Sequence, residues 1–279
     1  MTDRLAILAG GGRLPALLLE HHIATGQPVC VVTFTDMPQP AAELLAQVPH
    51  IQVNLGAVGK VLKFLHQQGA TRVVMAGHLP KPTLFGLKPD LAGVKLLASQ
   101  LWHHDDALLG AVCKLLEENG MAVVGAHQIL PDLLAAPGDF GGKLPTAVQE
   151  ADIQLGWQVA KGLGRYDIGQ AVIVKDRVVL GVEAIEGTDK LVERCAVLRN
   201  GKPGGVLVKV SKPDQTELAD LPAIGPQTLR LLADYQFAGV VIEAGHTLLL
   251  DQQEAIAVAQ RHKLILRATS TEALQGAAA

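Results

Sequence analysis

Short apolar runs alternate with helix-patterned stretches through the first half of the chain, and this rhythm limits the fold more than any other feature. The runs are Leu5–Ala9, Pro28–Phe34, Ile51–Val53, Arg72–Ala76 and Met121–Gly125. Helical patterns separate them, at Pro15–Ala24, Ala41–Gln47, Val58–Gln68, Leu91–Leu101 and Asp105–Glu118. A β-branched run without polar alternation, such as Pro28–Phe34, reads as a strand covered on both faces. Strand–helix alternation with short connections predicts an open, doubly wound, Rossmann-like parallel sheet.

The rhythm changes after Ala136–Pro145, a Gly- and Pro-rich stretch that reads as the linker. We therefore expect two α/β domains, 1–138 and 146–279. In the second, Gln170–Val174 and Val178–Ala184 flank a turn at Lys175-Asp176-Arg177, the first antiparallel hairpin signal. Strand signals at Val206–Val210, Gly239–Glu243 and Leu264–Leu266 alternate with helical ones at Asp189–Leu198, Pro226–Tyr235 and Gln252–Arg261. That pattern predicts a mixed sheet.

Composition excludes several classes of function. A net charge of −3 lacks the basic balance of a nucleic-acid binder. Two Trp, two Tyr and five Phe supply few rings for stacking bases. Cys30, Cys113 and Cys195 are odd in number and far apart, which fits a reducing cytosol and buried thiols. Neither a signal peptide nor a run of 18 apolar residues is legible, so a cytoplasmic protein is expected.

On the first sheet, Gly10-Gly11-Gly12 lies between the first strand and first helix, where backbone N–H groups can approach a diphosphate. Pro15 stands where the dinucleotide fingerprint wants glycine. A tight turn without ligand is the alternative. Gly77-His78-Leu79-Pro80-Lys81 follows another parallel strand and falls on the same edge, so His78 and Lys81 are candidate substrate contacts. His103-His104-Asp105-Asp106 looks like a metal cluster, but on a helix start its members diverge.

On the second sheet, Glu183-Ala184-Ile185-Glu186-Gly187-Thr188-Asp189-Lys190 joins a strand to a helix, with Thr188 placed as a cap. Ser211 to Gly225 crowds Lys212, Asp214, Glu217 and Asp220 into a loop stiffened by prolines. Asp220 has no cap to serve there. Glu243 and His246 end a strand and could line a cleft.

Taken in order, these pieces resemble a known family, the UDP-2,3-diacylglucosamine pyrophosphatases of the LpxI type. The resemblance rests on Leu8–Pro15, Asp105–Leu109, Asp167–Val172, Glu183–Asp189, Lys212–Gln215 and Asp220–Gly225. It implies Mg²⁺-dependent (or Mn²⁺-dependent) hydrolysis of the UDP-sugar diphosphate to UMP and 2,3-diacylglucosamine 1-phosphate, as a step of lipid A biosynthesis. It also implies two α/β domains enclosing the substrate. The family's essential aspartate carries over onto Asp220, a metal ligand together with Asp189. Lys212 and Glu186 complete the expected catalytic set. Gly10, Gly11, Gly12, His78, Lys81, Gln170 and Thr188 are expected to bind substrate. Transient contact with the inner membrane and a homodimer are further expectations. An NAD-dependent oxidoreductase and a non-catalytic nucleotide-sugar sensor are the alternatives.

Overall fold

The structure is a computed structural model that describes residues 3–35, 37–78, 90, 93, 105–213, 218 and 221–276. The chain divides into two units, Met1–Pro131 with Thr216–Asp220, and Asp132–Gln215 with Leu221–Ala279.

In the first unit, β1 (Leu5–Ala9), β2 (Val29–Phe34), β3 (His50–Val53), β4 (Arg72–Ala76) and β5 (Ala122–Val123) form one sheet. Its order is β3-β2-β1-β4-β5, and every pairing is parallel. The helices are α1 (Leu14–Thr25), α2 (Ala42–Leu45), α3 (Val58–Gln68), α4 (Asp105–Glu118) and α5 (Ala126–Ile129). All six residues of β2 are buried, as a strand covered on both faces requires. One apolar cluster joins Ala6, Val32 and Val73 to Phe64, Leu65 and Leu116 of the flanking helices. The strand order reverses between β1 and β4. Open α/β sheets bind ligands at such a point, because neighbouring loops diverge there and leave a crevice.

The second unit is built on β6 (Gly138–Asp139), β7 (Ala171–Lys175), β8 (Val178–Val182), β9 (Val206–Lys209), β11 (Gly239–Glu243) and β13 (Ile265–Thr269). A two-residue strand, β10 (Ala223–Ile224), pairs separately with β12 (Leu248–Leu249). The main sheet runs β6-β13-β11-β9-β7-β8, parallel through its centre and antiparallel at both sides. Its helices are α6 (Ala147–Gly164), α7 (Thr188–Leu198), α8 (Pro226–Asp234), α9 (Gln252–Arg261) and α10 (Thr271–Gly276).

The period of two along each strand sorts side chains to two cores. Val172, Val174, Val206, Val208 and Val241 pack with Ile153, Trp157 and Ala160 of α6. Ile173, Leu207, Val240 and Ile242 pack on the other face with Leu191, Leu229 and Leu232 of α7 and α8. Each fully buried Leu or Ile there contributes about 1.5–3 kcal/mol relative to exposure.

Local signals explain the edges of this unit. Thr146 caps α6, accepting from the Gln149 N–H while the Gln149 side chain accepts from the Thr146 N–H. The hairpin turn is two residues, Asp176 and Arg177, both with positive φ. Their N–H groups donate to the buried Asp152 carboxylate at 3.1 and 2.6 Å.

Ala136–Pro145, read above as the linker, lies inside the second unit. Gly138–Asp139 pairs antiparallel with β13, and Asp139 accepts from Arg267 at 2.6 Å. Gly141 lies so close to β13 that a Cβ there would stand 2.5 Å from the Leu266 nitrogen. Glycine here marks close backbone approach, which sequence alone does not separate from flexibility. The Ser211–Gly225 stretch also differs from a wholly polar connection, since Ser211 is buried and its far end forms β10.

Candidate functional site

Each unit gathers candidate residues at the carboxyl edge of its parallel strands. In the first, β1 and β4 are neighbours, so the turns that leave them meet. The Gly11 N–H donates to the His78 carbonyl at 2.9 Å, and the His78 N–H returns the bond to Gly11 at 3.0 Å. A Cβ on Gly11 would stand 2.9 Å from His78 Cε1, so the imidazole lies over bare backbone. Gly77 holds φ at +85°, and a side chain there would strike the Gly10–Gly11 backbone. Gly10, Gly11, Gly12 and His78 are thus brought together beside the first turn of α1. Lys81, the other candidate of this group, lies outside the described residues, as do His103 and His104.

In the second unit the edge is made of charged side chains. Strand parity sends Lys209 to the α7 face, while Glu243 approaches Lys161 on α6. The Lys209 Nζ donates to Thr188 Oγ1 at 2.8 Å and to the Ala223 carbonyl at 3.1 Å. Thr188 in turn donates to Glu183 Oε1 at 2.7 Å, and the Gln170 N–H donates to Glu183 Oε2 at 3.3 Å. Thr188 does not cap α7 as expected. Gly187 occupies that position with φ of +82°, because the hydroxyl is committed to Glu183. Gln170 Oε1 is buried without a hydrogen-bond partner among the described residues.

On the opposite face, Glu243 Oε2 accepts from Lys161 Nζ at 2.7 Å, from the Ser211 N–H at 2.8 Å and from Ser211 Oγ at 2.7 Å. Lys161 Nζ also reaches the Ser211 carbonyl at 3.1 Å. Lys212 pairs with Asp167, both side chains largely buried. Glu243, Glu183 and Lys209 are each 7 % exposed, so these are interior charges that need their partners.

The remaining candidates stand apart. Glu186 pairs with Arg194 at 2.6 Å and accepts from the Ala184 N–H at 3.1 Å. Partial burial works against its charge, but these bonds win and hold its carboxyl below the ordinary carboxylate range. Asp189 accepts from Thr228 at 2.9 Å and from Gln227 at 3.2 Å, joining α7 to α8. Asp220 lies outside the described residues.

Sequence reading did not single out Lys161, Lys209 or Ser211, which the structure joins to the candidate residues. Lys209 carried a signal, a cation inside the apolar run Val206–Val210, where a charge is rarely buried without a partner. Lys161 carried none, because its partners lie 50 and 82 positions away.

Among the described residues no three His, Cys, Asp or Glu side chains group so as to hold a metal ion. The carboxylates of Glu183, Glu186, Asp189 and Glu243 are each occupied by separate donors. The described donor set does not fit a resident Mg²⁺. What the edge can do is hold several ammonium groups in low-dielectric surroundings, where developing phosphoryl charge is strongly stabilised.

Comparison with known proteins agrees with this organisation. Residues 4–133 match the LpxI N-terminal domain and residues 136–267 the LpxI C-terminal domain. A protein of Caulobacter vibrioides named UDP-2,3-diacylglucosamine pyrophosphatase LpxI is 37% identical over 265 residues, covering 92% of this chain and 94% of that protein. Solved structures are similar only weakly. The Bordetella bronchiseptica enzyme WbmG, in complex with NAD and UDP, has a TM-score of 0.30 at 19% identity over 43% of this chain and 36% of that one. The CobK precorrin-6A reductase scores 0.36 at 12% identity over 99% and 95%. Neither likeness bears on function. Both domain matches and the Caulobacter relative span nearly the whole sequence, so the chain belongs to the LpxI family.

Proposed function

We infer that this chain hydrolyses the diphosphate of UDP-2,3-diacylglucosamine, giving 2,3-diacylglucosamine 1-phosphate and UMP, a step of lipid A biosynthesis. The observation that carries this reading is 37% identity to the Caulobacter pyrophosphatase over 92% of the chain. The chemistry of the second unit's edge supports it. Water adds to one phosphorus and gives up a proton to solvent, while the bridging oxygen leaves with the other phosphate and keeps the bonding electron pair. Negative charge grows on that phosphate, and Lys212 is the cation assigned to it. A diphosphate oxygen competes for Lys212 with the Asp167 carboxylate, a partner it has in the structure. In the first unit the glycine turn and His78 are assigned to binding part of the nucleotide sugar, through backbone N–H groups at the start of α1. Gln170 Oε1, a buried acceptor awaiting a donor, is assigned to a substrate hydroxyl or N–H.

Asp220 enters as the family's aspartate, and dependence on Mg²⁺ or Mn²⁺ is proposed through it and not through Glu186 or Asp189, whose carboxylates are held by Arg194 and by Thr228 and Gln227. No helix of the described residues is long and apolar enough to cross a membrane. Surface contact with the inner membrane is proposed from the diacyl substrate alone.

The test is incubation of the purified protein with UDP-2,3-diacylglucosamine, scored for UMP and the sugar phosphate. Release of both is expected, with loss of roughly a hundredfold or more in the Asp220→Ala variant at unchanged melting temperature. Intact substrate after incubation would overturn the reading. Full turnover after exhaustive EDTA treatment would remove the metal proposal alone.

A further inference from the structure

We propose that Lys161 and Glu243 are positioning residues, which fix Ser211 and thereby set where Lys212 stands. The proposal rests on the reading that Lys212 serves the diphosphate.

The last turns of α6 form a platform beneath the 211–213 segment. Lys161, Gly164 and Asp167 follow at intervals of three, so the first two share one face of the helix. Lys161 binds the carbonyl and the hydroxyl of Ser211 at 3.1 and 3.3 Å. Gly164 lies under the next two residues, where an added Cβ would stand 3.2 Å from Lys212 Cα and 3.1 Å from Pro213 Cδ. Asp167, just past the helix, takes the Lys212 ammonium. One short stretch of helix thus reads the backbone, the Cα and the charge of consecutive residues.

Glu243 closes this arrangement from the sheet. Its Oε2 accepts both the N–H and the Oγ–H of Ser211, two bonds to one residue, and the Lys161 ammonium makes a third. Two donors from one residue on one oxygen fix both its backbone and its rotamer. Because Glu243 is buried and Lys161 only partly exposed, these charge-assisted bonds are stronger than surface ones. A lysine acting on a transferring phosphate must stand within a fraction of an ångström of its place, since a misplacement of about 1 Å can cost a hundredfold. The pair with Asp167 holds the ammonium but does not by itself fix the backbone from which Lys212 extends. The Ser211 clamp supplies the fixed origin.

The experiment compares the full-length protein with Ser211→Ala and with the double variant Lys161→Met/Glu243→Gln. The double change removes both charges of the pair together, so it does not strand one of them in the interior. UMP release gives kcat and KM, thermal melting reports the fold, and amide exchange reports the Ser211 N–H. The double variant is expected to melt close to the wild type, to lose about tenfold or more in kcat, and to keep KM within about twofold. Ser211→Ala, which removes the two of four clamp bonds that use the hydroxyl, is expected to lose about threefold, and Ser211 amide protection should fall in the double variant. A folded double variant with wild-type kcat overturns the clamp. So does a kcat loss that merely follows the melting temperature. Wild-type protein that releases no UMP overturns the diphosphate reading and with it the catalytic use of the clamp; an active wild type beside an indifferent double variant overturns the clamp alone.

Discussion

The two carboxyl edges are made of different materials. In the first unit the edge is backbone: three consecutive glycines, the Gly77–His78 peptide, and one imidazole resting on them. In the second it is side chains: Lys161 paired with Glu243, Lys212 paired with Asp167, and Lys209 joined to Glu183 through the Thr188 hydroxyl. Backbone N–H groups carry no net charge and cannot be neutralised, so that edge is sensitive to shape. Paired interior charges can be removed only together, so the other is sensitive to balance. Substitutions should therefore fail by steric strain in one unit and by electrostatic orphaning in the other.

The sharpest steric test is Gly77→Ala. Alanine at φ of +85° is strained, and its methyl group would meet the Gly11 carbonyl and stand 3.0 Å from Gly10 C, all of it backbone. Left-handed strain costs about 1–2 kcal/mol and overpacking about 1–3 kcal/mol. A loss of about 3 kcal/mol is expected from thermal or urea unfolding. Gly11→Ala serves as its control, because the methyl would meet His78 Cε1, the far end of a side chain that can swing aside. Its cost should stay under about 1 kcal/mol. Equal costs for the two variants would show that the edge is not shaped by backbone contact.

The same contrast explains what could be read from the sequence. The backbone-made edge was legible, because glycines at strand ends and the βαβ rhythm are local signals, and strand order then brings Gly11 and His78 together. The charged edge was legible only in part. Glu183, Glu186 and Lys212 announced themselves by clustering in short segments, whereas Lys161 sits on the face of an ordinary amphipathic helix. Its meeting with Ser211 and Glu243 depends on the packing of α6 across β9 and β11, a relation between distant segments that no window of sequence contains. Gly187 displaced Thr188 as cap for a similar reason, since Glu183 offers the hydroxyl a partner that local rules ignore.

Breaking the balance in the second unit should cost somewhat less than Gly77→Ala. Lys161→Met leaves the Glu243 carboxylate with Ser211 as its hydrogen-bond partner among the described residues. The Lys161 side chain is 26% exposed, so water offsets part of the usual 3–5 kcal/mol, and about 2–3 kcal/mol is expected. Adding Glu243→Gln should restore at least about half of that loss, because a neutral amide oxygen still accepts from Ser211. Chemical denaturation of wild type, both single variants and the double variant gives the coupling directly. A double variant as unstable as the sum of its singles would mean that charge balance does not govern this edge.

The smallest expected effect concerns Glu186, whose pairing lies at the rim and not in the interior. Its carboxyl is held below the ordinary range: burial opposes ionisation, but the Arg194 guanidinium and the Ala184 N–H favour it more. A depressed carboxyl stabilises the fold above its unfolded-state pKa, and the gain is lost as pH falls through the lower, folded value. Stability should therefore decline on acidification through the range below the ordinary glutamate pKa, and Glu186→Gln should remove that share of the decline. Arg194 is 47% exposed and Glu186 27%, so solvent screening limits the contribution to a few tenths of a kcal/mol. Urea midpoints for wild type and Glu186→Gln, taken at neutral pH and at a pH below the ordinary glutamate range, measure it. A variant whose midpoint falls with acid as steeply as the wild type would show that the pair with Arg194 does not stabilise the fold, and that the buried pairs alone carry the electrostatics of the second unit.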